Sequence, residues 1–209
     1  MPDHPFKVEL ISWGETERLI DKLASHIRES GFIPDVVIAI ARGGYVPARL
    51  LCDQLDIYQL TSIRISHYLA GAHRSEQAQL VEPLHSDISQ ANVLLVDDVD
   101  DSGDTLELAR QHLSDRQPKQ LKIAVVHHKL ASSLIPDYYA HKIVKWRWLT
   151  YPWALYEDVC GFLDQLSPPA TSPQEAARRL QAQFQISVPR RVMAAVFHQS
   201  TNNPVVTSR

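Results

Sequence analysis

With 209 residues, the chain is long enough for one domain with a complete hydrophobic core and a small appendage. It is 44% hydrophobic and 22% charged, as is usual for a globular protein, and its net charge of −3 gives no general attraction to nucleic acid or anionic membranes. No apolar run approaches the roughly 18 residues of a membrane span, the N-terminus lacks a signal-peptide pattern, and Cys52 and Cys160 stand far apart without metal-ligand spacing. We therefore expect a cytoplasmic protein with two reduced thiols that binds neither nucleic acid nor membrane.

The first half of the chain alternates helix and strand patterns. Apolar residues recur at helical spacing in residues 12–30, and the continuous apolar run "DVVIAIA", residues 35–41, predicts a buried strand. Residues 45–55 predict a second helix, and the β-branched residues 57–66 a second strand. Residues 67–90 have weak periodicity, which leaves open a long loop or a poorly ordered hairpin.

The same alternation continues in the middle of the chain. "NVLLVDD", residues 92–98, predicts a strand, "DTLELARQHL", residues 104–113, a helix, and "LKIAVVHH", residues 121–128, a further strand. "HKIVKWRW", residues 141–148, is compatible with one more. The alternation over residues 35–128 predicts an α/β fold with a doubly wound, mostly parallel sheet.

The C-terminal segment differs in character. "LSPPATSP", residues 166–173, has the composition of a linker, residues 172–199 carry two amphipathic helix patterns, and residues 200–209 form a polar tail. We therefore divide the chain into a domain of residues 1–165 and, in residues 166–209, a linker with a C-terminal helical extension and a flexible tail.

The stretch "VLLVDDVDDSGDTL", residues 93–106, places five acidic side chains within eight positions at the end of a buried strand. Ligands of open α/β sheets bind at the carboxyl ends of the strands. The helix that follows offers unpaired N–H groups, Gly103 permits close approach of the backbone, and Ser102 and Thr105 add hydroxyl groups, which together suit a phosphate monoester. Ordinary capping of the helix by Ser102 or Asp104 is the alternative for this turn alone.

Asp97 and Asp98 favour the ligand site. Adjacent carboxylates raise each other's pKa unless a cation or hydrogen-bond donors compensate, and ribose hydroxyls and Mg²⁺ are two such compensators. A phosphate loop, a diol site and Mg²⁺ side by side describe a ribose 5-phosphate site, with a solvated acidic turn as the alternative. The chain contains no GxxxxGK[ST] sequence, which disfavours a Walker-type nucleotide site.

Residues 93–106 resemble the signature of type I phosphoribosyltransferases that binds phosphoribosyl pyrophosphate (PRPP), although Asp100 stands where an apolar residue is usual and Ser102 where threonine is common. The resemblance implies that Asp97 and Asp98 hold the ribose hydroxyls, with Asp98 nearest a Mg²⁺ ion. It implies that four residues hold the 5-phosphate: Ser102, Gly103, Asp104 and Thr105. The fold it implies is the type I phosphoribosyltransferase fold with a small hood.

The turn "ARGGY" follows the first buried strand and opens a helix. Arg42 supplies charge for a polyanion, and Gly43 and Gly44 expose backbone N–H groups. In this context the turn resembles the pyrophosphate loop of 6-oxopurine phosphoribosyltransferases. The resemblance implies a cis peptide bond between Ala41 and Arg42, although no proline is involved.

The resemblance also implies how the base is read. Asp101, at the head of the PRPP loop, matches an aspartate that lies beside N7 of the purine in those enzymes, where a carboxylate accepts the N7 proton as a general base; a helix cap is its ordinary alternative. Lys129, just past a strand end, matches a lysine that donates to the 6-oxo group, and an exposed surface lysine is its alternative.

A W-x-x-x-P-W element beginning at Trp148 resembles that of bacterial xanthine-guanine phosphoribosyltransferases. It implies that Trp148 stacks on the purine and that the main chain at Leu149 and Thr150 reads the edge of the base. We expect Trp146 and Trp153 to lie in the core.

Three features are less determined by the sequence. Residues 67–79, including Tyr68, resemble a mobile loop that closes over the site and excludes water. Arg64 and Arg74 are both candidates for contacting pyrophosphate. Ala154 stands where many relatives carry an acid.

The resemblance, which covers residues 35–160, implies a Mg²⁺-dependent transferase of purine salvage. PRPP and a 6-oxopurine (hypoxanthine, guanine or xanthine) would give the nucleoside 5′-monophosphate and pyrophosphate, in a homodimer or homotetramer. Two alternatives stay open: a phosphoribosyltransferase for another base, and a non-catalytic regulator that binds PRPP or a nucleotide.

Overall fold

A computed structural model describes residues 6–68 and 77–202 of the chain. The strands are β1 (Val8–Leu10), β2 (Val36–Ala41), β3 (Leu60–Tyr68), β4 (Gln77–Glu82), β5 (Asn92–Asp100), β6 (Gln120–Lys129), β7 (Tyr138–Ile143) and β8 (Trp148–Thr150). The helices are α1 (Trp13–Glu29), α2 (Tyr45–Leu55), α3 (Asp104–Ser114), α4 (Leu155–Asp164), α5 (Pro173–Phe184) and α6 (Arg190–Asn202). None of the helices in these ranges is long and apolar enough to cross a membrane.

The chain forms two compact units. The larger unit is Gly14–Trp146, and the smaller one combines the chain up to Trp13 with the chain from Arg147 onward. Residues 147–165, which the sequence analysis assigns to the domain of residues 1–165, therefore belong to the same unit as the C-terminal helices. The division into domains at residue 165 stays a prediction.

The larger unit contains a six-stranded sheet in the order β4-β3-β2-β5-β6-β7. Strands β3, β2, β5, β6 and β7 run parallel, and β4 pairs antiparallel with β3 at the edge. The predicted α/β class with a mostly parallel sheet is confirmed. In the described part of residues 67–90, the structure has the end of β3 and the whole of β4, paired antiparallel, rather than a continuous loop.

Helices cover both faces of this sheet, which explains the unbroken apolar sequence of β2 and β5. On one face, α1 and α2 pack in a buried cluster with Leu94 and Val96 of β5. On the other face, α3 packs with the intervening residues Val93 and Leu95. Successive side chains of a strand point to opposite faces, so a strand covered on both sides must be apolar at every position.

Strand β5 continues to Asp100, two residues beyond the end predicted from its apolar run. Strand β6 ends at Lys129, and the parallel ladder between the two strands runs as far as the pair Asp100 and His128. The ladder therefore fixes the separation of the two carboxyl ends. Asp101, the residue that follows β5, therefore lies at the same edge of the sheet as Lys129.

The smaller unit has its own core. Strands β1 and β8 pair in parallel, with Val8 opposite Trp148, and Phe6, Phe162 and Phe184 pack ring against ring among the C-terminal helices. Ser172 caps α5 by accepting the N–H of Glu175. Helix α4 was not predicted from the sequence.

Candidate active site

The turn between β5 and α3 depends on glycine for two reasons. Gly103 has φ +96°, a left-handed conformation that side-chain-bearing residues rarely adopt. A Cβ at this position would lie 2.7 Å from Ser133 Oγ and 3.0 Å from Leu134 N. The turn leads into the N-terminus of an 11-residue helix, where the first N–H groups have no helical partner. Ser102 Oγ donates to Asp104 Oδ2 over 2.9 Å within the turn.

The loop after β6 supports this turn from outside. The backbone N–H and the hydroxyl of Ser133 both donate to the carbonyl oxygen of Ser102, each over 3.0 Å. The turn that the sequence assigns to phosphate binding is therefore joined to the strand that carries Lys129. No pattern within residues 93–106 could reveal this support, because it comes from a segment some thirty positions away.

Asp97 and Asp98 form a carboxylate pair at the end of β5. Asp97 is 8% exposed, and its Oδ1 accepts the N–H of Asp98 over 2.9 Å. Burial raises the pKa of Asp97 well above its ordinary value of 3.8, and the neighbouring charge of Asp98 raises it further. Charge on both carboxylates is therefore costly without a compensating partner.

The turn after β2 packs directly on this carboxylate pair. The peptide bond between Ala41 and Arg42 is cis, as predicted. A Cβ at Gly43 would lie 2.5 Å from both carboxylate oxygens of Asp98, and a Cβ at Gly44 would lie 2.4 Å from the carbonyl oxygen of Val96. The two predicted binding turns are thus adjacent: Gly44 lies against strand backbone that leaves no room for a Cβ, and Gly43 lies against the side chain of Asp98.

Asp101 and Lys129, the two residues predicted to read the base, form an ion pair with Nζ and Oδ2 2.8 Å apart. Lys129 is only 3% exposed, so it is not a solvated surface lysine. Burial lowers the pKa of Lys129, and the charge of Asp101 partly offsets this effect. The carboxylate of Asp101 is 45% exposed and remains accessible to a ligand.

Trp146 joins the same cluster, although the sequence predicts it as a core residue. Its indole N–H donates to Asp101 Oδ1 over 2.9 Å, and its ring lies 4.4 Å from Lys129 Nζ. Trp146 is 38% exposed, so the prediction that it lies in the core is wrong. These two contacts are with charged groups at the carboxyl ends of β5 and β6, and hydrophobic spacing alone does not distinguish such a position from a core position.

Asp100, to which the sequence assigned no role, also has specific polar partners. It is buried between strands, with Oδ2 2.7 Å from His128 Nδ1 and Oδ1 accepting the hydroxyl of Ser132 over 2.8 Å. Burial raises the pKa of Asp100, and the two hydrogen bonds partly offset this. An acid at a position where relatives usually have an apolar residue was the signal that a polar partner exists nearby.

Trp148 belongs to the smaller unit. Its indole N–H donates to Asp158 Oδ2 over 2.9 Å, and its partly buried ring lies near Phe6 and Phe162. Burial raises the pKa of Asp158. Leu149 is buried next to it in β8. The stacking role of Trp148 and the base-edge role of Leu149 stay predictions.

The predicted mobile loop lies largely outside the described residues, which exclude 69–76 and with them Arg74. Tyr68 is the last residue of β3, and its side chain is also outside the description. Arg64, the other candidate for pyrophosphate, forms an ion pair with Glu82 across the hairpin, with Nε and Oε1 3.0 Å apart.

Comparison with protein families matches residues 9–158 to the phosphoribosyl transferase domain. A xanthine-guanine phosphoribosyltransferase of Ruegeria sp. (strain TM1040) is 32% identical over 153 residues, covering 68% of this chain and 83% of the relative. A hypoxanthine-guanine phosphoribosyltransferase of Saccharomyces cerevisiae is 28% identical over 189 residues, covering 69% and 85%.

Two solved structures are also similar to this chain. The purine phosphoribosyltransferase of Pyrococcus horikoshii superposes with a TM-score of 0.63 at 35% identity, covering 70% of this chain and 93% of its own. A hypothetical protein of Neisseria gonorrhoeae with bound ppGpp has a TM-score of 0.65 at 27% identity, covering 86% and 98%. The second match extends over more of the chain than the first.

Proposed function

Because the chain belongs to the phosphoribosyl transferase domain family, we propose that it is an enzyme that transfers the phosphoribosyl group of PRPP to a 6-oxopurine. Hypoxanthine, guanine or xanthine would become the nucleoside 5′-monophosphate, with release of pyrophosphate. The observation that supports this most strongly is the 2.8 Å ion pair of Asp101 and Lys129, next to the glycine turn after β5. It brings a proton acceptor and a buried donor together beside a phosphate-binding turn.

In this proposal PRPP is held by the two turns. Ser102 to Thr105, at the N-terminus of α3, bind the 5-phosphate through backbone N–H and hydroxyl groups. Arg42, Gly43 and Gly44 bind the pyrophosphate group. Asp97 and Asp98 accept hydrogen bonds from the ribose hydroxyls. The direct packing of Gly43 against Asp98 supports a continuous site for both parts of PRPP.

The carboxylate pair also suits Mg²⁺. The described residues contain no group of three or more metal-ligating side chains, so they offer no complete protein cage. Mg²⁺ is commonly held by one or two carboxylates together with oxygens of a phosphorylated substrate, and Asp98 and Asp97 would supply that number. When bound with PRPP, the ion would neutralise charge on the departing pyrophosphate.

In this proposal the base attacks C1′ of the ribose and loses its N7 proton within one site. As N9 of the purine bonds to C1′ and the bond from C1′ to pyrophosphate breaks, positive charge develops on the ribose, and the carboxylates of Asp97 and Asp98 stabilise it. Asp101 accepts the N7 proton as a general base. Lys129 donates to the 6-oxo oxygen, and Trp148 stacks on the ring.

A second candidate is supported by one comparison. The Neisseria gonorrhoeae structure, which matches 86% of this chain, contains ppGpp. That ligand has a guanine base and phosphate groups, so the same turns could bind it in a protein that senses nucleotides without catalysis. The presence of Asp101 and Lys129 as an ion pair favours an enzyme, because a sensor needs no general base.

The test measures release of pyrophosphate from PRPP, in the presence of Mg²⁺, with six bases in parallel: hypoxanthine, guanine, xanthine, adenine, uracil and orotate. We expect turnover with at least one 6-oxopurine, lost by about 10²- to 10⁴-fold in Asp101→Ala. Turnover with another base instead would keep PRPP binding and contradict the roles of Lys129 and Trp148. PRPP or ppGpp binding without turnover on any base would identify the non-catalytic regulator.

The oligomeric state and location stay predictions. We expect a homodimer or homotetramer in the cytoplasm, and light scattering of the purified protein measures the first of these directly.

A further inference from the structure

Trp146 lies in the connection between β7 and β8 and contacts both residues that we assign to the purine. Its indole N–H reaches one oxygen of Asp101 while Lys129 reaches the other, at 2.9 and 2.8 Å. Its ring lies 4.4 Å from Lys129 Nζ. The three side chains come from three separate segments of the larger unit and close a triangle of contacts.

The position of Lys129 makes this contact important. A buried ammonium loses its hydration, and the face of an indole ring is a favourable partner for such a cation. The side chain of Lys129 is only 4% exposed, and the Asp101 carboxylate and the Trp146 ring are two partners for its charge. Without the ring, the ammonium would meet water on that side and could turn away from Asp101.

We propose that Trp146 is a positioning residue for purine recognition: its ring and its N–H fix Lys129 and Asp101 in the arrangement that favours a 6-oxopurine over a 6-aminopurine. This inference rests on the proposed function, in which those two residues contact the base. Trp146 is not part of the W-x-x-x-P-W element, which begins two residues later at Trp148, so the resemblance to that element implies no role for Trp146.

The selectivity follows from the hydrogen-bond chemistry. An ammonium has three donors and no acceptor. One donor of Lys129 goes to Asp101, and the indole ring covers another side, so the directions left for a ligand are restricted. A 6-oxo oxygen accepts from a donor held there, whereas a 6-amino group presents its own donors and leaves the remaining donor of Lys129 without an acceptor, which a buried site strongly disfavours.

The experiment compares Trp146→Ala and Trp146→Phe with the unaltered protein. Phenylalanine keeps a ring over Lys129 but removes the N–H donor, and alanine removes both. Val144→Ala is the matched control, since Val144 is an exposed apolar residue of the same connection. For each protein, KM and kcat are measured for hypoxanthine, adenine and PRPP, and binding of inosine 5′-monophosphate is measured by calorimetry.

We expect Trp146→Ala to raise the KM for hypoxanthine by about tenfold and to reduce the preference for hypoxanthine over adenine, with the KM for PRPP unchanged. Trp146→Phe should lose less of that preference, and Val144→Ala none. A purely structural role would instead affect PRPP and purine alike.

Three results would overturn the inference, and they are distinguishable from one another. An active protein in which Trp146→Ala leaves the purine KM and the base preference unchanged, or lowers that KM, contradicts the role of Trp146 alone. A protein without turnover in which the same variant leaves nucleotide binding unchanged contradicts it as well. Absence of both turnover and nucleotide binding in the unaltered protein contradicts the proposed function and the inference together.

Discussion

The two sides of the candidate site are built differently. On the phosphate side, the turns after β2 and β5 contain glycines in close contact with their neighbours. A Cβ at Gly43, Gly44 or Gly103 would lie 2.4 to 2.7 Å from another atom. On the base side, the arrangement is formed by contacts among charged and aromatic side chains, those of Asp101, Lys129 and Trp146. In the proposed function, sterically restricted turns would bind PRPP, the constant substrate, and exchangeable side chains would read the variable base.

This difference leads to different responses to mutation. A new side chain on the phosphate side must displace neighbouring atoms, so its effect on stability depends on whether those atoms can move. A change on the base side leaves the backbone in place and should alter substrate preference with little effect on folding. The following predictions test this contrast in order of decreasing effect.

Gly44→Ala should have the largest effect on stability. Its Cβ would meet two backbone carbonyl oxygens, Val96 O at 2.4 Å and Ile40 O at 2.7 Å, and strand backbone cannot easily move. We expect a loss of about 3 kcal/mol in the free energy of unfolding, measured by urea denaturation. Gly43→Ala is the control, because its Cβ would meet the carboxylate of Asp98, which can rotate. It should remain folded and bind PRPP more weakly. Equal stability of both variants would contradict the contrast.

Asp100→Leu tests the buried connection between the two sides. It leaves the buried His128 Nδ1 without its carboxylate partner, whereas the hydroxyl of Ser132 keeps the carbonyl oxygen of Leu134 as an acceptor at 3.0 Å. A buried polar group left unsatisfied costs about 1–3 kcal/mol. We expect a loss of about 2 kcal/mol in unfolding experiments. Asp100→Asn retains a polar partner for His128 Nδ1 and should lose less than half as much. A leucine variant as stable as the unaltered protein would show that the network has no net stabilising effect.

Gly103→Ala should have a moderate effect. A residue with a Cβ pays about 1–2 kcal/mol in a left-handed conformation, and the Cβ would also press against the hydroxyl of Ser133, whose rotation can relieve the contact. We expect thermal unfolding at a lower temperature and a higher KM for PRPP, with the preference among bases unchanged. A changed base preference would mean that the two sides are not separable at this turn.

Asp97→Asn should have the smallest effect and the opposite sign. The folded-state pKa of Asp97 is raised, so the folded protein holds the proton more tightly, and stability falls as pH rises from the ordinary value of 3.8 through the folded-state pKa. Asparagine removes this cost. We expect a gain of about 1 kcal/mol at neutral pH together with weaker PRPP binding. The gain should shrink toward about pH 4, and a gain independent of pH would contradict the electrostatic explanation.

Much of the phosphate side could be predicted from the sequence because it is local. The apolar run, the acids and the glycine of residues 93–106 follow one another, and the resemblance of one short turn to a known pyrophosphate loop implied the cis bond after Ala41. The boundary of β5 was less predictable, since the ladder with β6 holds acidic residues in a strand conformation that their own propensity disfavours.

The base side is assembled from distant segments, and this limited its prediction. The pair of Asp101 and Lys129 is 28 positions apart and that of Asp101 and Trp146 is 45 apart. The first was predicted through a family resemblance, whereas Trp146 has no matching position in the motif and was interpreted as core from its hydrophobicity. The partners of Asp100 were missed for the same reason, because only the register of β5 and β6 brings His128 to it.

The most direct test of this account is the base preference of Lys129→Gln. Turnover with hypoxanthine and with adenine is measured at saturating PRPP and Mg²⁺ for this variant and for the unaltered protein, together with the KM for PRPP. The account predicts that the unaltered protein uses hypoxanthine and not adenine, and that glutamine removes this preference while the KM for PRPP stays the same. An unchanged preference, or a loss of PRPP binding equal to the loss of purine binding, would contradict a base side that is separate from the phosphate side.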